Sequence, residues 1–433
     1  VARVRPFKAF TYARTSPDIS DLTAPPYDVI SDRQRAGLLG RNAYNIVALE
    51  LPEGSLDPSV PGNRYATGRH RWHDWRESGI VVRDRVPAIY VLEQRYEFEG
   101  REIRRRAFVA EVGLHSFEER VILPHERTLP KVLGDRFNLT KACAANFSPV
   151  LGLYSDPDSL TDRFFDLASE SSLLMTSSDS DGVVSDVRTL TNSDTIAALA
   201  ETLAEKQIFI ADGHHRYATA LAYRDERRAA DAAVGITPKD PAYDYVMMAL
   251  VNMDDPDLMV LPTHRVADAP RAFDPASFRD ALSDTFDLNE LAEEASAEEA
   301  LASSERPAFL VSIRDTNAPL LATLKEHIDL DTVIPLEHSN AWKELDVTVL
   351  QEVILSPLLG IHPDRPETLE RLAFIQSTTE ALAAAASHDV AFILRPTGMD
   401  QLREVALAGE ALPQKSTYFY PKLPSGLLLR GID

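Results

Sequence analysis

The stretch Ile208-Phe209-Ile210-Ala211-Asp212-Gly213-His214-His215-Arg216-Tyr217 runs from four apolar residues through a glycine into a helix-forming segment. An apolar run closed by a turn residue reads as a buried strand, and 217–233, rich in Ala, Leu and charged residues, reads as the helix that follows. An acid, two imidazoles and a guanidinium are therefore gathered at one strand-to-helix turn. Helix N-termini offer backbone N–H groups and a positive dipole end, and glycine lets the backbone approach a ligand, so phosphate is the first ligand to consider. Arg216 adds a two-pronged phosphate grip. Taken singly, Asp212 and Gly213 are also ordinary turn residues, and a His pair can be a solvated cap; the density of chemistry within five residues favours a site.

Two further packets lie outward from this turn. Upstream, Val121-Ile122-Leu123-Pro124 leads into His125-Glu126-Arg127-Thr128, with Lys131, Asp135 and Arg136 close behind. Downstream, Leu261-Pro262 leads into Thr263-His264-Arg265, and Lys415-Ser416-Thr417, with Lys422, sits in a Pro-bounded loop rich in phosphate-binding residue types. Near the start, Asp28 in Pro25-Pro26-Tyr27-Asp28 and Glu50 in 45–52 are acids in apolar surroundings. Each is a candidate active-site acid, and a turn cap or edge residue is the plainer reading. His264 and the Lys415 loop are candidates on the same terms.

The elements around these packets indicate mixed secondary structure. The segment 63–79 carries Tyr65, Trp72 and Trp75 near helical spacing and ends at Gly79, which predicts a packing helix. Alternation on both sides of Glu99-Gly100 predicts a hairpin over 88–113. Within it the basic run 101–106 reads first as one sheet face and second as an anion patch. Residues 45–52 are expected to form a short strand ended by Pro52, 174–196 a loop-bearing surface region with a brief strand candidate at Gly182-Val183-Val184, and 245–253 a buried strand. Beyond these, 308–314 and 391–396 are expected as strands, and 345–359 and 367–386 as helices. Strands and helices with at least one hairpin argue for an α+β fold.

At 433 residues the chain exceeds a single core, so two parts are expected, divided near residue 266. The composition, 44% hydrophobic and 26% charged, is that of an ordinary water-soluble protein. Apolar runs long enough to span a bilayer are missing, and the N-terminal residues lack a signal-like apolar region, so a cytoplasmic, non-membrane protein is expected. The net charge of −22 argues against a nucleic-acid partner. Cys143, the one cysteine, excludes an intrachain disulfide and a Cys-based zinc site.

The packets carry a resemblance. Pro25-Pro26-Tyr27-Asp28, Pro124-His125-Glu126-Arg127-Thr128, Asp212-Gly213-His214-His215-Arg216 and Lys415-Ser416-Thr417-Tyr418-Phe419 together resemble the DUF1015 family over nearly the whole chain. The Pro-His-Glu and Asp-Gly-His-His-Arg packets, at about 117–225, are similar to the core of the ParB/sulfiredoxin-like superfamily and, within it, to the free-serine kinases. That likeness implies a catalytic part, 1–266, built around this core, and a C-terminal α+β part, 267–433, that supports or covers the site. It implies transfer of a phosphoryl group from ATP or ADP, with Mg2+, to a small hydroxyl-bearing metabolite, a serine-like amino acid foremost. Glu126 matches the hydroxyl-activating glutamate, with His125 beside it. Asp212, a further catalytic candidate, with Gly213, His214, His215 and Arg216 matches the phosphate-binding turn, to which Arg127, Lys131 and Arg136 could add, and Asp212 is also the candidate Mg2+ ligand.

Three other readings stay open: a phosphomonoester or nucleotide hydrolase, a metal site of His125, Glu126, His214 and His215, and a nucleotide-operated switch without turnover. The sulfiredoxin branch needs a cysteine at the turn, and this chain has none there.

Overall fold

The computed structural model describes residues 1–13, 17–126, 130–291, 294–314, 318–334 and 337–432. The chain forms two compact units, one of Val1–Pro124, Thr128–Leu258 and Pro421–Asp433, the other of His125–Arg127 and Met259–Tyr420. The division differs from a single cut near residue 266, because the last residues fold with the first unit.

The first unit is built on a nine-stranded mixed sheet. Its strand order is Ile122–Leu123, Ile208–Asp212, Val150–Tyr154, Tyr245–Asn252, Arg101–Gly113, Ile89–Phe98, Val184–Leu190 and Met175–Ser178, with Val4–Arg5 also on Arg101–Gly113. Ile208–Asp212 runs parallel to Ile122–Leu123, and Tyr245–Asn252 parallel to Val150–Tyr154; the other pairings are antiparallel. The predicted hairpin is present, and its turn residues Glu99 and Gly100 both have positive φ (50° and 74°), as a two-residue turn matched to strand twist requires.

Alternation along the strands gives the sheet two different faces. Phe108, Ala110, Ile208, Ile210, Met248 and Leu250 share a core with residues of the helices Asp162–Ser169, Ser193–Ala204 and His214–Ala233. In the opposite phase of the same strands lie Arg105 and Glu111, both buried. The helix Arg64–Glu77 forms as predicted, with Asn63 accepting from the amides of Tyr65 and Ala66, and packs Trp72 against Phe10 and Phe147.

Three sequence expectations are corrected. Residues 45–52 hold a helical turn, Val47–Glu50, because the Asn45 side chain accepts from the Val47 amide and starts it; four apolar residues do not distinguish strand from helix. The Ser/Asp-rich 174–196 contains two sheet strands, Met175–Ser178 and Val184–Leu190, whose polar residues reflect a half-wet position near the sheet edge. The expected helix over 367–386 is interrupted by the strand Leu372–Ile375, held by pairing with His264–Ala267.

The second unit has a six-stranded antiparallel sheet in the order Phe286–Glu290, Leu320–Leu324, Ala308–Ile313, Val390–Ile393, His264–Ala267, Leu372–Ile375. Val266, Leu310, Ala391 and Ile393 pack with Ala297, Leu301 and Ala381 from its helices. The expected helix over 345–359 forms with a π-helical stretch, Leu350–Leu355, inside it. Met259–Leu261 pairs antiparallel with Tyr418–Tyr420. The fold is α+β throughout.

Candidate functional site

The strand Ile208–Asp212 shifts register after Ile210, and Asp212 stands at its end. Gly213 follows with φ 90° and ψ 29° at the N-cap of the helix His214–Ala233, which has no side-chain cap. A Cβ at Gly213 would lie 2.9 Å from Arg216 Nε, so both the left-handed backbone and the space demand glycine. Freed of that clash, Arg216 folds back: Nη2 donates to Asp212 Oδ2 at 2.6 Å and Nη1 donates to the Pro149 carbonyl. Lys422 donates to Asp212 Oδ1 at 2.8 Å. Burial would push the Asp212 carboxyl up, but Lys422 and Arg216, with His214 beyond, outweigh it and hold it well below the usual carboxylate range.

Positive charge exceeds negative here. Besides Arg216 and Lys422, Arg105 lies fully buried, its Nη2 donating to Gln94 Oε1 and, at 2.6 Å, to the carbonyl of Pro421, the residue before Lys422. Its Nη1 is buried with no hydrogen-bond partner among the described residues. Burial pulls the guanidinium down to about 10, against the pull of Tyr96 and Asp212, so it stays a cation at neutral pH. Asp212 thus binds one guanidinium and one ammonium at an uncapped helix start, with the Arg105 guanidinium on the residue next to Lys422, a set of charges suited to attracting an anion.

Arg136 and Glu50 come together as a buried pair. Arg136 Nη1 donates to the Glu50 carbonyl at 3.0 Å and to Oε2 at 3.2 Å, its Nη2 donates to Asp135 Oδ2 at 2.6 Å, and its guanidinium stacks 4.2 Å over the Tyr27 ring. Burial pushes the Tyr27 hydroxyl up to about 12 against the pull of Arg136 and Arg216. Asp28, beside it, is exposed. Lys131 lies in the first turn of the helix Pro130–Cys143. Cys143 is buried, which pushes its thiol up to about 12 and leaves it no nucleophile.

The other candidates belong to the second unit. His125 is buried, with Nε2 3.1 Å from Thr417 Oγ1, and its carbonyl accepts from the Leu412 amide at 2.8 Å. His125 and Thr417 are thus neighbours, while Glu126 is half-buried. Arg127 lies outside the described residues. Ser416 donates to the Pro413 carbonyl, and Lys415, exposed and with φ 58°, has its carbonyl held by Arg265 Nη2 at 3.0 Å. His264 accepts at Nδ1 from the Leu394 amide and bonds Thr378 Oγ1 at Nε2, both at 3.2 Å. Burial and then Arg265 hold its pKa down to about 4, so it is a neutral core histidine that ties strands together.

The candidate Mg2+ ligand does not suit its role. Both Asp212 oxygens already bind cations, and Lys422 and Arg216 oppose a divalent ion placed directly on that carboxylate. Among the described residues no group of three or more His, Cys, Asp or Glu side chains could hold a metal ion, and none of the helices among them is long and apolar enough to cross a membrane. The sequence singled out Arg105 only as part of the basic run 101–106, although a sharper signal was present: it is in phase with the inward Ile103, Ala107 and Val109.

The family model described as a protein of unknown function (DUF1015) matches residues 4–348, and the chain belongs to that family. No curated protein matches it. Similar solved structures include a free serine kinase mutant in complex with ADP, with 12% identity over 72% of this chain and 86% of that one and a TM-score of 0.35. A conserved hypothetical protein from Pyrococcus furiosus has 14% identity over 74% and 93%, with a TM-score of 0.34. SbnI with a C-terminal truncation, from Staphylococcus aureus, has 10% identity over 74% and 86%, with a TM-score of 0.34. Likenesses this low assign no activity to the chain.

Proposed function

We propose that this DUF1015 protein is a phosphotransferase that moves the terminal phosphoryl group of ATP or ADP to a small hydroxyl-bearing metabolite, with a serine-like amino acid the favoured acceptor. The observation that carries the reading is the excess of positive charge at the Asp212 turn: Arg216, Lys422 and buried Arg105 against one carboxylate, at a helix start that Gly213 leaves uncapped. Such a place stabilises the charge that a transferring phosphoryl group spreads over its oxygens. Asp212 holds Arg216 and Lys422 in position, and the fixed cations need no reorganisation when phosphate arrives. The resemblance gives acceptor activation to Glu126. The acceptor oxygen forms its bond to phosphorus as the bond from that phosphorus to the nucleotide's bridging oxygen breaks, and the acceptor proton passes to the carboxylate.

The test is phosphate transfer from ATP and ADP across a panel of amino acids that includes L-serine, for the wild type and Glu126→Gln. Acceptor-dependent product is expected, with turnover in the variant lower by about 10²- to 10⁴-fold and nucleotide affinity little changed. Phosphate release that ignores the acceptor would replace the kinase with a hydrolase, and binding without turnover would leave a nucleotide switch.

A further inference from the structure

Beside the Asp212 turn the first unit encloses a small polar cavity of ≈ 40 Å³, whose walls include Tyr27, Glu50, Arg136, Ser148, Arg216 and Thr219. Arg216 belongs to both places: it lines the cavity and donates to Asp212. Thr219 is three residues further along the same helix and therefore on the same side of it.

Two features mark the cavity as a ligand site. Thr219 Oγ1 is buried with no hydrogen-bond partner among the described residues, in a residue only 3% exposed, and a buried hydroxyl without a partner is destabilising. The cavity also brings charges of both signs out of water. Glu50 and Arg136 are each 5% exposed, and among the described residues Glu50 Oε1 has only the Ser425 hydroxyl, at a long 3.4 Å. A neutral alcohol can donate to this carboxylate oxygen but brings no charge to answer either sign, and a simple anion would be repelled by it. A compact zwitterion answers both signs, its ammonium toward Glu50 and its carboxylate toward the guanidinium side. Size narrows the choice further: a water position takes about 10–15 Å³ on this measure, so the cavity has room for roughly three, too little for a sugar ring or a nucleoside.

We infer that this cavity is the acceptor subsite and takes a small hydroxyl-bearing amino acid, with the Thr219 hydroxyl completing its hydrogen bonds. The inference rests on the phosphotransferase reading for the word acceptor, while the binding it requires can be measured without turnover.

The experiment is calorimetric titration of the full-length protein with L-serine, glycerol and, separately, inorganic phosphate, for the wild type, Thr219→Val and Thr219→Leu. L-serine is expected to bind the wild type and glycerol to bind far more weakly. Thr219→Val should lower L-serine affinity about tenfold while the thermal midpoint holds or rises, since the hydroxyl it removes has no partner in the unliganded protein. Thr219→Leu fills the cavity and should abolish L-serine binding while phosphate affinity stays within about twofold. Should Thr219→Leu not fold, the Thr219→Val comparison decides. Equal L-serine affinity in wild type and variants, or no L-serine binding to the wild type, overturns the inference. Loss of phosphate binding in the wild type instead would sink the reading of the Asp212 turn and leave the cavity to be judged on L-serine alone.

Discussion

Arg105 shows what a single residue can reveal about function. A guanidinium held fully out of water costs several kcal/mol unless its charge is answered, and among the described residues no carboxylate bonds it: its partners there are an amide oxygen and a carbonyl. Replacing a buried charge with an apolar group of similar length is often neutral or stabilising. Arg105→Met is therefore expected to raise stability by about 1–3 kcal/mol, read from urea unfolding. If the retained charge serves the anion site, the same variant should bind inorganic pyrophosphate about tenfold more weakly. A variant that is less stable yet binds normally would make Arg105 a structural residue. At this scale the sequence was a partial guide. The Asp212 packet announced itself by the density of its side chains. The bond from Arg105 to the Pro421 carbonyl, 316 positions away, leaves no local trace.

The strand, turn and helix around Gly213 form the element on which the proposed anion site depends. Gly213→Ala places a side chain on a backbone at φ 90° and against Arg216 Nε, so the variant is expected to lose about 1–3 kcal/mol of stability and to displace Arg216 from Asp212. Gly134 is the control, for it lies in the helix Pro130–Cys143 with nothing within 4 Å of an added Cβ. Gly134→Ala should stabilise by about 0.5–1 kcal/mol and leave phosphate titrations unchanged. Opposite signs in the two unfolding experiments, with phosphate affinity lowered only in the first, would tie the turn to binding; equal effects would count against it. Strands and turns were legible where a glycine closed the pattern, as after the apolar run 208–211 and in the alternation around Glu99-Gly100. They were misread where four residues had to decide, as at Val47–Glu50, and where pairing with distant residues made a strand out of helix-compatible sequence, as at Leu372–Ile375.

On the scale of the molecule, the first unit is discontinuous, and its last segment is its least replaceable part. Within 421–433, Lys422 answers Asp212, the Pro421 carbonyl answers Arg105, and Arg430 donates to Glu111 at 2.5 Å in a pair that is almost wholly buried. Arg430–Gly431 also pairs with Ala145–Asn146, and Leu429 exchanges backbone hydrogen bonds with Phe10. A protein ending at residue 266, where composition suggests a boundary, would strip partners from Glu111, Arg105 and Asp212 together. Breaking even one buried pair costs about 3–5 kcal/mol, a large share of the stability of any domain. The long segment of the second unit, Met259–Tyr420, by contrast, begins and ends in paired strands: Met259 is opposite Tyr420, so Leu258 and Pro421 flank positions about 5 Å apart. Joining Leu258 to Pro421 through a short Gly/Ser linker is therefore expected to give a cooperatively folding protein that binds inorganic phosphate, whereas residues 1–258 alone should fail to unfold cooperatively or should aggregate. Circular dichroism melts and phosphate titration of the two proteins check this. Equal folding of both would show that the tail is dispensable. Folding of the joined protein without phosphate binding would show that the first unit needs more than its own cations to hold the anion.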